Sequence, residues 1–263
     1  MVAYLGSVWG CRYFWLSLVK MDLRTRYRGS ALGLGWSLLQ PLAMTAILCT
    51  VFIKIFHQEL TYFAPFLMSG LTFWNFLVTT SIQGTYCFFQ GECYIRQYPA
   101  PMAIYPLRTL LGAAFHFSLA LMLVLVLTAI VKGFTSLWPL LSLGPTVVLL
   151  LVFGWSLAVL FGLITVRFRD THHITEVCFQ ALFYLTPVMY PPETLLALRE
   201  RHLDFLINWN PFVPFLDLLR QPILDCTMPS FRTFAAASLV TLTVTSLAVL
   251  SLWKQERQLI FHL

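Results

Sequence analysis

The residues best suited to chemistry crowd into "RTRYRGSALGLGWSLLQP", residues 24–41. There Arg24, Arg26 and Arg28 and Gly29, Gly33 and Gly35 directly precede or enter a long apolar run. Two kinds of chemistry use such a stretch. A nucleotide-binding loop lays glycine amides and a lysine on phosphates, which requires G-x-x-x-x-G-K-[ST]. That string occurs nowhere in the 263 residues. Gly33-Leu34-Gly35 follows no strand, and Gly29 and Gly33 form a lone G-x-x-x-G outside any apolar twenty-residue segment, so neither carries an argument. A membrane protein uses arginines in two ways. They snorkel to headgroup phosphates, or they receive an anionic, lipid-linked substrate at an entrance. For the second role the candidate set is Lys20, Arg24, Arg26, Arg28, Gly33 and Trp36, with the glycines and Ser30 turning the chain into the first span.

Composition places these residues in a membrane protein. Hydrophobic residues are 59% and charged residues 11% of the chain, against roughly 45–50% and about 25% in a soluble domain. A helical span needs about 20 mostly apolar residues. Six windows qualify as candidates, which predicts an all-α polytopic membrane protein with six transmembrane helices: 38–56, 62–82, 109–131, 140–166, 174–190 and 233–253. The fifth is short and holds Glu176 and Pro187. Of the 17 basic residues, 11 fall before span one, in the even loops or in the C-terminal tail, while six acids offset the basic residues on the other side. By the positive-inside rule both termini are expected in the cytoplasm. Basic residues spread between spans in this way do not fit nucleic-acid binding. The six cysteines show no C-x-x-C and no histidine at zinc spacing, so they read as packing residues, with neither a disulfide framework nor a metal site. No cleavable signal peptide is expected, since Arg12 and Lys20 interrupt the first apolar residues.

Two pieces do not span. Over residues 8–28, Trp15, Val19, Leu23 and Tyr27 form an apolar stripe beside a basic row of Lys20, Arg24 and Arg28, which predicts an amphipathic helix on anionic membrane lipids. Asp22 and Arg26 fall off both rows. The proline-rich block 191–230 holds two short segments that cannot cross, and it reads as re-entrant or gate helices under protein cover. The expected organisation is one domain, 1–263: interface helix and entrance loop 1–37, spans one to five 38–190, outer gate helices 191–230, last span and tail 231–263.

Ionisable residues within the spans are few, and such groups are functional candidates by default. His116 reads as a packed or channel-facing polar residue, and His172-His173 as ordinary surface residues of a cytoplasmic turn. Phe, Tyr and Trp make up 16% of the chain. Most belong to interfacial belts, but Trp74, Tyr86, Phe88, Phe89, Phe183 and Tyr184 sit near span ends where a conduit for sugar rings would open. Together with His116 they are the candidate channel lining.

Four strings carry a family resemblance: "MDLRTRYRGSALGLGWSLLQP", "YIRQYPAPMAIYPL", "VRFRDTHHITEVCFQALFYLTPVMYP" and "NPFVPFLDLLR", in that order. The chain resembles the ABC-2 type polysaccharide-exporter permeases, which move O-antigen and teichoic acid precursors, from about residue 10 onward. Tyr98-Pro99 and the extra Pro101 depart from the family pattern. The resemblance implies a homodimer in the bacterial inner membrane, each subunit docked on a separate ATPase that holds ATP and Mg, with a channel for a lipid-linked polysaccharide between the two. This chain would hold no cofactor and no catalytic residue. The resemblance further implies that Arg96, Tyr98, Pro99, Met102, Arg167, Arg169 and Asp170 couple to the ATPase. It also implies an outer gate formed by Leu195, Leu198, Phe205, Asn210, Pro211, Phe212, Phe215 and Leu219. The alternatives are a permease for a drug or small lipid, and an integral-membrane glycosyl- or phosphotransferase. The latter would need clustered acids for Mg²⁺ and a diphosphate, whereas Asp22, Glu92, Asp170, Glu176 and Glu256 are scattered.

Overall fold

The computed structural model describes residues 2–56, 59–97, 100–190 and 210–262, and every regular element among them is helical. The helices are α1 (Val2–Gly10), α2 (Arg12–Tyr27), α3 (Trp36–Phe56), α4 (Leu60–Thr85) and α5 (Cys87–Gln97), followed by α6 (Ile104–Val131), α7 (Leu143–Arg167), α8 (Thr171–Leu185), α9 (Val213–Arg220) and α10 (Phe231–His262). The stretch 8–28, expected as one helix, is two, because the chain breaks helix at Cys11. Leu195, Leu198, Phe205, Tyr98 and Pro99 lie outside the described residues.

Four segments among the described residues are long and apolar enough to cross a membrane: 33–53, 104–131, 138–167 and 231–256. The expected six are therefore not all recovered by length and apolarity. The two exceptions have physical reasons. With 26 residues, α4 is long enough, but Thr72, Asn75, Thr79, Thr80, Ser81 and Gln83 lower its hydropathy. It tolerates them because α3, α6, α7, α8 and α9 pack around it and bury Phe63 to Trp74 without a break. Shielded from lipid, a central helix need not be apolar throughout. With 15 residues, α8 spans only roughly 22 Å at 1.5 Å per residue, short of the hydrocarbon core. The outward faces of the apolar helices carry exposed Ile47, Met122, Ile130, Leu242 and Leu250, as a lipid-facing surface requires.

A close crossing of α4 and α7 sets the core. A Cβ on Gly84 would stand 2.6 Å from Ala158 Cα, and one on Gly162 would stand 2.9 Å from the Gly84 carbonyl oxygen and 2.8 Å from Cys87 Sγ. Small residues let two helix backbones approach where apolar burial alone gives no advantage over lipid. Above this crossing, α9 re-enters the bundle. Phe212 lies 5.7 Å from Trp74, near the middle of α4, and Phe215 stacks on Phe153 at 4.8 Å between centroids. Arg220, 7% exposed, anchors α9. Its guanidinium donates to the carbonyls of Pro187, Val188 and Phe66 and lies 3.7 Å from the Phe66 ring centroid.

At one end of the bundle the two chain ends meet. The Tyr4 hydroxyl donates to Glu256 Oε1 (2.8 Å), which also accepts from the Met102 amide (3.2 Å), while the Ala103 amide donates to Tyr4 Oη (3.3 Å). Burial, then the bond to Glu256, pushes the Tyr4 phenol above its ordinary value.

The crossing predicts a sharp contrast between two glycines. Gly84→Ala forces the α4 and α7 backbones apart and should destabilise the folded chain by about 1–3 kcal/mol, the usual range for overpacking. Gly112→Ala, on α6 with nothing within 4 Å of its Cβ position, should be silent. Thermal unfolding in one detergent reads both, and equal midpoints would remove the crossing as a constraint.

Candidate functional site

The opening stretch frames a polar cavity of about 210 Å³. Arg26 and Tyr27 from the end of α2, Trp36, Ser37 and Gln40 from the start of α3, Thr72, Asn75 and Thr79 from α4, and His116 from α6 line it, with Phe76 and Phe117 among its apolar walls. The sequence shapes it locally. Gly29 and Gly33 hold φ of +79° and +50°, a region that strains any residue with a Cβ. Ser30 Oγ accepts the Gly33 amide at 3.2 Å. The chain thereby reverses from α2 into α3 within eight residues and leaves the first turn of α3 facing α6.

Three side chains knit the floor. The Tyr27 and Ser37 hydroxyls lie 3.1 and 3.0 Å from His116 Nδ1, and they also bond to each other. His116, expected to be packed or channel-facing, thus holds α2 and α3 to α6 and borders the cavity at once. Thr72, also in the lining, has a buried Oγ1 with no hydrogen-bond partner among the described residues. Of the lining residues only Arg26 is a permanent cation and none is acidic. Among the described residues no carboxylate lies within salt-bridge distance of Arg26. One cation, two amides and several hydroxyls in an otherwise apolar bundle can bind an anion carrying further hydroxyls.

The cavity depends on where α2 lies, and Asp22 decides that. Its carboxylate takes both Arg108 Nε and Nη2 of α6, each at 2.5 Å. This explains why Asp22 belongs to neither row of the amphipathic pattern: it faces the bundle. Leu18 and Val19 are buried on the same side of α2.

The remaining sequence candidates distribute unevenly. Of the entrance set, Arg26 and Trp36 line the cavity, Gly33 shapes its turn, and Lys20 and Arg24 on α2 and Arg28 just past its end are exposed outside it. Among the channel candidates, Trp74 and Phe88 are buried in the core, Phe89 and Phe183 are half-buried, and Tyr86 and Tyr184 are exposed. Trp74 touches Phe179, Phe183 and Phe212, so this aromatic group joins α4, α8 and α9. Of the gate candidates, Phe212, Phe215 and Leu219 are core residues. Asn210 donates to Thr186 Oγ1 and accepts from the Phe212 amide, fixing the entry angle of α9, and Pro211 is exposed. Of the coupling candidates, Met102 is buried. Arg96 is exposed and paired with Glu92 at 2.8 Å, and Arg167, Arg169 and Asp170 form an exposed turn, with Arg169 against Phe89. Sequence reasoning missed Phe168, 69% exposed in that turn. It also missed Ser37, Gln40, Thr72, Asn75 and Thr79 of the cavity, uncharged residues whose only signal is polarity inside an apolar run.

Comparison with known proteins adds the following. Residues 13–224 match the family described as ABC-2 type transporter. The chain is 26% identical over 249 residues to the O-antigen export system permease protein RfbA of Myxococcus xanthus, covering 94% of this chain and 95% of that one. It is 24% identical over 242 residues to RfbA of Klebsiella pneumoniae, with 88% of each covered. It is also 24% identical over 237 residues to the polysialic acid transport protein KpsM of Escherichia coli, covering 87% and 89%.

The Asp22–Arg108 pair generates a prediction. Removing one partner of a fully buried pair costs 3–5 kcal/mol, and an exposed pair is worth under about 1. With the Asp22 side chain 42% and the Arg108 side chain 10% exposed, Asp22→Ala should cost about 1–3 kcal/mol and raise hydrogen exchange across residues 12–27. The double variant Asp22→Leu/Arg108→Leu should regain more than half of the loss. Exchange in α2 that is the same in all three proteins would show that the pair does not hold the helix.

Proposed function

The chain belongs to the ABC-2 type transporter family, and we propose that it is the permease subunit of an exporter that moves a lipid-linked polysaccharide across the bacterial inner membrane. The end-to-end match to permeases of two different polysaccharides carries this reading. The cavity supports it, because a single unpaired guanidinium among hydroxyls and amides suits a phosphate ester joined to sugar. Arg26 would grip the phosphate, Thr72, Asn75 and Gln40 would meet hydroxyls, and Trp36 would offer a ring face to an apolar sugar face. The subunit would work as a homodimer of six-passage chains, with both termini in the cytoplasm beside two copies of an ATPase that binds ATP and Mg. Residues 191–230 would close the outer mouth.

The turn after α7 is the proposed ATPase contact. Phe168 is a large apolar side chain, 69% exposed, between the exposed Arg167 and Arg169. Asp170 precedes α8 without making a side-chain cap bond, so replacing it should leave the helix intact. Phe168→Ser and Asp170→Ala are each expected to insert and fold normally yet lose most polymer export. Export at the normal rate by both folded variants would move the contact elsewhere.

Reconstitution with the partner ATPase tests the substrate. Lipid-linked polysaccharide should stimulate ATP turnover, and a drug-like amphiphile or a plain phospholipid should not; stimulation by the amphiphile alone would overturn the reading. Within the complex, Arg26→Lys keeps the charge but loses the paired hydrogen bonds of the planar fork. Charge-assisted bonds are worth about 1.5–3 kcal/mol, so half-maximal stimulation should need about ten to a hundred times more substrate. Arg24→Lys and Arg28→Lys, outside the cavity, should shift it far less.

A further inference from the structure

We propose that His172, His173 and Glu176 form a binding site for a divalent transition metal of the zinc class, where the first turn of α8 meets the end of α4. The inference is independent of the transport reading.

Glu176 stands three residues after His173 and four after His172, so it neighbours each histidine on the helix surface. Their donor atoms lie within 4.8 Å of one another. His172 Nε2 is 3.4 Å from Glu176 Oε1, and His173 Nδ1 is 3.5 Å from Oε2. Both separations exceed the usual 2.7–3.2 Å of an N–H···O bond. Each is close to the edge of a tetrahedron around zinc, about 3.3–3.5 Å for ligand bonds of 2.0–2.2 Å, and each nitrogen faces its own oxygen of the one carboxylate.

A residue from another helix sets the protonation. The Thr85 hydroxyl donates its single proton to the Ile82 carbonyl at 2.6 Å. In its 2.9 Å contact with His172 Nδ1 it must therefore accept, which puts the ring proton on Nδ1. The Nε2 lone pair then points at a carboxylate oxygen, an arrangement that needs a cation or a proton between the two. Zinc-bound histidines are held in this way, by a hydrogen bond to the nitrogen that does not bind the metal. The Tyr86 ring, 4.5 Å from the imidazole centroid, fixes the His172 plane. The His173 and Glu176 side chains are 76% and 47% exposed, so a metal can reach them from solvent and keep its fourth position open.

Titration of the full chain with Co²⁺ in detergent, using an affinity tag without histidine, tests the site. We expect one Co²⁺ per chain with the visible absorption of a tetrahedral ion, displaced by Zn²⁺. His173→Asn and Glu176→Gln, at exposed positions that leave the fold intact, should each weaken binding at least about tenfold. Thr85→Val, which touches no metal, should weaken it about tenfold to a hundredfold. Absence of the tetrahedral spectrum in the folded chain overturns the proposal, as does affinity unchanged in His173→Asn and Glu176→Gln. Uptake of a proton alone, with the histidine–glutamate ion pair closing and no metal bound, overturns it as well.

Discussion

The approach of α4 to α7 at Gly84 and Ala158 is the constraint on which the other features rest. A methyl group at Gly84 has no room beside the opposing backbone, so the two helices cross at the smallest separation that side chains allow. That places α4 within reach of five other helices. From that one position α4 supplies Thr72, Asn75 and Thr79 to the cavity, Trp74 to the aromatic group that receives α9, and Thr85 to His172. A shift of α4 would disturb all three places together.

The same centrality explains what could be read from the chain and what could not. Fold class and the most apolar spans follow from hydropathy, which depends only on neighbouring residues. The crowding of arginine and glycine before span one contributes Arg26 and Trp36 to the cavity lining and two left-handed glycines to the turn beside it, while Lys20, Arg24 and Arg28 lie outside. Asp22 could not be placed from its own helix, because its partner Arg108 is 86 residues away and no local pattern contains a distant carboxylate–guanidinium pair. For the same reason Arg108, counted as a topology signal, emerges as a structural cation. Thr72 and Asn75 were invisible because an uncharged polar residue in an apolar run is equally compatible with packing and with lining a cavity. His172 and His173 read as ordinary surface residues from the sequence, because Thr85, which orients His172, comes from another helix.

Aromatic content was the least decisive reading. Trp74, Phe212 and Phe215 bury rings in the centre, where they replace the apolar solvent that a lipid would otherwise provide to α9. Arg220 sits among them, its Nη1 and Nη2 donating to three backbone carbonyls and its face against the Phe66 ring, while its buried Nε has no hydrogen-bond partner among the described residues. A short helix can lie among these rings because the guanidinium of Arg220 is met by backbone oxygen, with Asp217 one turn away on the same helix. The block 191–230 is thus tied to the core at its far end, through α9, whatever its outer part does.

The bond between Tyr4 and Glu256 has an arithmetic consequence. With Tyr4 and Glu256 in contact, helices that lead away from their meeting point must be matched by others that return to it. Leaving from beside Met102, α6 runs away from the meeting point of the ends, and α7 returns to it. α3 also runs away, since its end adjoins the start of α4, where Tyr62 lies under Lys132 at the far end of α6. Two outward helices in succession require a return between them, and only α4 is available to make it. Direction thus gives α4 the sense of a return leg, although it is not one of the four segments that length and apolarity pick out among the described residues.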